Sequence, residues 1–299
     1  MARAIFKSWF VDFDPVRAKI AAKAAGRDPE RAAMLAISGK TEEQVERLSA
    51  EQKKNLAEIA ALFPDAMQDS ELGEIPRGWE VANLGDKIKT VKGRSYKSTE
   101  LLDSDTALVT LKSFARGGGY RPDGLKPYVG PYKPEQVVQP GELVVACTDV
   151  TQAAEVVGRP AIVRSNRHFK TLVASLDTLI LRPIVQDVTH AFLYFLGGTE
   201  RFKAHMYSHT TGTTVLHLAK NAVPLFQYVH PGKELVQMFD RIAAPNLNRI
   251  AAAATESDML TELRDTLLPK LVSGEIELPD KAENDPAAET KSIPRGAGG

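Results

Sequence analysis

The chain has 299 residues, 43% of them hydrophobic, with 38 basic and 38 acidic side chains and a single cysteine, Cys147. It has no run of ~18 apolar residues to span a membrane, the opening MARAIFKSWF lacks the apolar core of a secretory signal, and one cysteine excludes an internal disulfide framework and suits a reducing cytoplasm. Zero net charge argues against indiscriminate nucleic-acid binding, and the length accommodates two domains, or one with helical extensions.

Residues 1–14 crowd Ile5, Phe6, Trp9, Phe10, Val11 and Phe13 into a short space, too much apolar surface for a free tail. An Ala/Lys/Arg-rich run over 15–25 reads as a short helix, 26–39 as loop or irregular helix, and 41–62 as one helix opened by a Thr41/Gln44 capping box. Gly39-Lys40-Thr41 invites a phosphate-loop reading, but Met34 stands where that loop needs glycine. Residues 62–78, rich in Pro, Gly and acids, mark a boundary. Short strands are expected at 79–84, 88–91, 107–111, 141–147, 161–164 and 178–182, with Cys147 a buried thiol in one of them. Gly117-Gly118-Gly119 and Pro122-Asp123-Gly124 form turns between them. Residues 187–207 read as a helix pair broken at Gly197-Gly198, and 210–223 as a loop and short helix.

Residues 233–273 form the longest periodic stretch, with Leu235, Phe239, Ile242, Leu247, Ile250, Leu260, Leu263, Leu267 and Leu271 on one side of a helix. Such a helix would span roughly 60 Å. Pro245 is expected to kink it or break it into a short helix and a longer one. Its stripe is longer than one domain usually covers, so Leu260, Leu263, Leu267 and Leu271 are candidates for pairing with another helix. The resulting organisation is α+β: a helical segment over 1–63, a linker over 64–78, a mixed domain over 79–230, a long helix over 231–276 and a disordered acidic, then Gly-rich, tail over 277–299.

Charge is segregated. Residues 79–230 hold 18 Lys and Arg against 13 Asp and Glu, and the rest of the chain holds 20 against 25. Residues 87–134 alone carry ten basic side chains against four acidic ones, which suggests one face that meets phosphates. Lys92, Arg94, Tyr96 and Lys97 surround Gly93, which would let the backbone approach a phosphate; Arg116, Tyr120 and Arg121 bracket the triple glycine, and Lys126 and Lys133 follow among Tyr128 and Tyr132. In TTGTTVLHLAK, Thr211, Gly212, Thr213 and Thr214, with His217 and Lys220, would offer hydroxyls and backbone amides ahead of a helix. HExxH, GxSxG and a zinc-binding cysteine pair are absent. His205 and His209 stand four apart but lack the further ligands a metal site uses, so no metal or catalytic residue is expected.

The ordered motifs resemble the DNA-specificity subunits of type I restriction–modification systems. ELGEIPRGWEV with LGD at 84–86 is similar to the opening of their target-recognition domains, and GELVVACTDVTQAAEVVGRPAIV to a strand–loop–strand within them. TTGTTVLHLAK followed by AVPLF resembles the exit motif, LRDTLLPKLVSGEI the closing helix, and IFKSWFVDFDPVRAK the segment after the first of two such helices. The resemblance implies a non-catalytic subunit that reads half of a bipartite double-stranded target. It also implies that long helices serve as spacers and docking surfaces for methyltransferase subunits, within a complex that includes a restriction subunit. S-adenosylmethionine, ATP and magnesium would belong to those partners, with no cofactor in this chain. Family members carry two recognition domains and two helices; this chain shows one domain and one complete helix. The resemblance therefore implies that it pairs with a second copy or another half-subunit, or else is an inactive truncated fragment. A standalone nuclease is a further alternative without an acidic metal cluster to support it.

Overall fold

The computed structural model describes residues 1–151 and 153–276. It has an α+β architecture in which residues Met1–Asn248 form one compact unit and the described residues from Arg249 belong to a second. Five helices come first: α1 (Ala2–Phe10), α2 (Asp14–Ala24), α3 (Pro29–Ser38), α4 (Glu42–Glu46) and α5 (Ala50–Ala61). Strands follow as β1 (Met67–Gln68), β2 (Ile75–Pro76), β3 (Glu80–Asn83), β4 (Ile88–Lys92), β5 (Thr106–Val109), β6 (Lys126–Pro127), β7 (Leu143–Ala146), β8 (Thr148–Asp149), β9 (Pro160–Ile162), β10 (Thr171–Ala174) and β11 (Thr178–Pro183). Then come α6 (His190–Gly197), α7 (Glu200–Ser208), β12 (Thr210–Thr211), β13 (Leu216–Leu218), β14 (Gln227–His230) and α8 (Lys233–Val272).

Three expectations about helices are corrected. Residues 29–38 are a regular helix, because the Asp28 carboxylate accepts from the Glu30 and Arg31 amides and Gly39 ends it in the left-handed region. The helix expected over 41–62 is two: Ser49 and Gln52 form a second capping box that starts α5 anew after α4. No break occurs at Pro245, since α8 runs through it for 40 residues. A proline removes one donor, whereas Leu235, Val236, Phe239 and Ala243 on the same helix are buried and hold the turns before it. The acidic, glycine-rich tail lies outside the described residues.

Four strands make the central antiparallel sheet, in the order β4-β11-β7-β9. Alternation along them sends Ile88, Leu143, Val145, Leu179 and Leu181 to one core and Val91, Val144, Ala146, Ala161 and Ile180 to another. The second core also takes Ala107, Val109, Leu172 and Ala174, from β5 and β10, which pair in parallel. The first is an aromatic cluster in which Phe239 lies 5.4 Å from Phe6, 5.4 Å from Phe10 and 5.5 Å from Phe195, ring centroid to centroid. The aromatic N-terminus therefore docks here, with Trp9 only 1% exposed. Among the described residues no helix is long and apolar enough to cross a membrane.

Candidate functional site

The strand order decides which loops meet. Lys92, Leu179, Val145 and Pro160 stand in one row across the central sheet. At this row β4 and β7 end while β9 and β11 begin. The segments after Lys92, after Ala146, before Pro160 and before Thr178 therefore leave from the same sheet end. The glycine turn docks there too: the Gly117 amide donates to the Glu155 carbonyl at 3.0 Å and the Gly119 amide to the Pro160 carbonyl at 3.1 Å. Strand β8 pairs with β13, and β13 with β12, which carries the threonine hairpin to the same end. Lys92, Arg94, Arg116 and the segment from Thr211 to His217 are thus gathered from three distant stretches of sequence.

Two local readings change. Gly93 does not open the backbone to a ligand. It is buried, and a Cβ there would lie 2.1 Å from the Ser175 carbonyl and 2.4 Å from that of Ala174. The close approach is to the chain's own turn, and the Arg94 amide donates to Ala174 at 2.7 Å. Nor do the threonines precede a helix. Thr211, Gly212, Thr213 and Thr214 form the exposed tip of the β12–β13 hairpin, His217 is exposed on β13, and Lys220 is exposed beyond its far end. Gly212 has a φ of 106°, and a Cβ there would meet the Val215 carbonyl at 2.1 Å, so this tight tip requires glycine.

Electrostatics divide the other candidates. Arg116 contacts Glu155 at 3.4 Å, and Arg121 is bound by both carboxylate oxygens of Asp123. Lys133 lies 3.9 Å from Glu135. Lys92, Lys97 and Lys220 are exposed and make no ion pair with a described carboxylate. The Lys126 ammonium sits 3.4 Å from the Tyr96 hydroxyl and 5.6 Å from its ring centroid, away from the hairpin on the β10-β5-β6 sheet. Tyr120 packs its ring against the second core, with the Arg164 guanidinium 5.8 Å from the ring centroid, and burial raises its hydroxyl pKa. Cys147 is half-buried between β7 and β8 rather than inside a strand, and burial pushes its thiol up to about 12, which disfavours the thiolate.

Asp149 organises the 149–157 loop. Its carboxylate is 1% exposed and accepts from the Thr151 amide at 2.8 Å, the Thr151 hydroxyl at 2.8 Å, the Val156 amide at 2.6 Å and the Val157 amide at 3.1 Å. Burial alone would raise its pKa; the Val156, Thr151 and Val157 donors outweigh that and hold it below the usual carboxylate value. A depressed folded pKa means the stabilisation is present above the unfolded pKa and lost as pH falls through the folded one. Asp149→Asn is expected to cost about 1–3 kcal/mol at pH 7. In thermal melts the gap between variant and wild type should shrink only below ~pH 4.

His205 and His209 stack at 4.1 Å instead of converging on an ion, with His205 Nε2 2.9 Å from the Ala222 carbonyl. Among the described residues no group of three or more His, Cys, Asp or Glu side chains could hold a metal. Sequence reasoning missed Arg159, which ends the 149–159 loop and has a buried Nε without a hydrogen-bond partner among the described residues. Gly158-Arg159-Pro160 was punctuated like a turn, but only the strand order shows where it lies. The carboxylate partners Glu155 and Asp123 were equally invisible as partners.

No family model matches the chain. Over 292 residues it is 28% identical to the type I restriction enzyme HindI specificity subunit of Haemophilus influenzae, covering 92% of this chain and 61% of that protein. It is 26% identical over 209 residues to the MjaIX specificity subunit of Methanocaldococcus jannaschii, covering 68% of this chain and 45% of that one. A crystal structure of a type I restriction–modification S subunit from M. genitalium superposes with a TM-score of 0.45 at 11% identity, over 66% of this chain and 46% of the other. The chain thus spans about half to three fifths of the length of the curated relatives it matches. Those relatives carry the family name that the sequence motifs suggested.

Proposed function

We propose that this relative of type I restriction enzyme specificity subunits is a non-catalytic DNA-recognition subunit that reads one half of a bipartite target. The observation that carries the reading is the convergence, at one end of the central sheet, of basic loops and a threonine-tipped hairpin that lie far apart in sequence. On this reading Lys92, Arg94, Lys97, Thr211, Thr213 and Thr214 hold phosphates and set the register of the duplex, while other arginines at the same end address base edges. Residues 79–230 act as the recognition domain, and α8 as spacer and docking arm. Methyltransferase and restriction subunits supply S-adenosylmethionine, ATP and magnesium and perform the chemistry. A methylation or gel-shift assay with the methyltransferase subunits should show a sequence preference; binding without any preference would refute the reading.

The phosphate contacts give a graded expectation. Arg94→Ala and Lys97→Ala should each weaken binding to all sequences alike. Each should also lower the slope of log K against log salt by about 1, because each removes one displaced counterion. An unchanged slope removes the residue from the interface.

A further inference from the structure

Arg121 is held by a carboxylate two residues further along the chain. Asp123 takes both Nε and Nη2 of its guanidinium, a two-point contact that fixes the fork. The turn that carries the pair is itself fixed. The Arg121 amide donates to the Ser113 carbonyl at 2.8 Å, and the Thr110 hydroxyl donates to the Gly124 carbonyl at 3.0 Å. Gly124 is wedged so tightly that a Cβ would stand 2.1 Å from the Lys112 carbonyl carbon. Even so, the pair faces solvent, with side-chain exposures of 54% for Arg121 and 63% for Asp123.

Two comparisons show what this arrangement is suited to. Arg182 also binds a carboxylate, Glu142, through two nitrogens, but its fork is spent on the Glu135 carbonyl at 2.9 Å and the Val137 carbonyl at 2.7 Å, so it clamps a loop. Arg116 makes one contact to Glu155 at 3.4 Å and is 80% exposed, so nothing sets its direction. Arg121 alone of the three combines a set direction with an open Nη1 edge. A phosphate is a poor match for it, because the Asp123 carboxylate would stand beside the incoming negative charge. A guanine edge suits it: O6 and N7 accept from the guanidinium, while the carboxylate can accept from the exocyclic amino group of a neighbouring cytosine or adenine.

We infer that Arg121, oriented by Asp123, is a specificity-determining residue that reads a guanine in the major groove beside an amino-bearing base. The inference rests on the DNA-recognition reading above and names a base for one position of its target. The test uses the full chain, alone and with methyltransferase subunits. A randomised duplex pool is first selected on the wild type, and affinities are then measured for duplexes in which each G·C pair of the selected sequence is swapped singly. One swap should cost the wild type about 5- to 100-fold. In Arg121→Ala that penalty should disappear, and in Arg121→Lys, whose ammonium lacks the fork held by Asp123, it should shrink, while the other penalties stay. Asp123→Asn should reduce the same penalty, and no variant should change the salt slope. An Arg121→Ala chain that keeps every swap penalty overturns the assignment; with a slope lowered by about 1 it makes Arg121 a phosphate contact. If the wild type selects no sequence, the recognition reading itself fails, a result separable from either.

Discussion

Replacing Phe239 with alanine is expected to lower the unfolding free energy by about 3–5 kcal/mol, a large share of the total for a domain of ordinary stability. Phe239 is fully buried on α8 and meets Phe6, Trp9, Phe10 and Phe195 with ring centroids between 5.4 and 6.3 Å apart. Those contacts join the N-terminal helix, α6 and the first turns of the long helix in one cluster, so truncation opens a cavity that three separate elements line. Both tryptophans of the chain, Trp9 and Trp79, lie in the same core, so their fluorescence reports its melting directly in a urea titration. Ile250→Ala, further along the same helix and 66% exposed, should stay within about 0.5 kcal/mol of wild type. A Phe239→Ala midpoint equal to that of Ile250→Ala would mean the aromatic cluster does not hold the helix.

The sequence was most legible where the physics is local. Short β-rich runs between turns found β4, β7 and β11, the glycine pair found the gap between α6 and α7, and aromatic density found the docked N-terminus. Less legible were signals that compete with one another. Ser49 inside an otherwise continuous helical pattern restarts a helix only because Gln52 closes a second box with it. Thr210–Thr211 and Leu216–Leu218 escaped notice because a threonine-rich stretch around a glycine looks like a helix cap, whereas here Thr210 and Thr211 pair with Leu218 and His217 and the later threonines form the tip between them. Strand β10 has four residues and a parallel partner more than sixty residues earlier, a pairing no short window contains. The candidate site suffers most from this. Arg94 and His217 become neighbours of one sheet end only through the order β4-β11-β7-β9 together with the pairing of β13 to β8, and Gly93 changes meaning once Ser175 is seen against it. Residue types pointed to the chemistry; the sheet supplied the arrangement.

The double substitution Leu263→Asp and Leu267→Asp should weaken assembly about 140- to 20,000-fold, the loss of two leucines at about 1.5–3 kcal/mol each. The stripe on this part of α8 is only partly covered among the described residues: Leu260 is 58% exposed and Leu263 53%, with Leu267 and Leu271 half-buried. Steps of three, four and four from Leu260 to Leu271 keep one side of the helix apolar, the pattern of a helix that expects another against it. Isolated exposed leucines need no explanation, but a row of them on one helix face is an interaction surface or an aggregation hazard. Because these residues belong to the unit beginning at Arg249, the variant should keep the urea midpoint of the wild-type core while losing its partner. Light scattering measures self-association, and capture by methyltransferase subunits measures the heteromeric contact. If the wild type is monomeric, only the self-pairing version is lost. If, in addition, the variant binds methyltransferase subunits as tightly as wild type, the stripe is not the docking surface, and α8 would serve only to set distance.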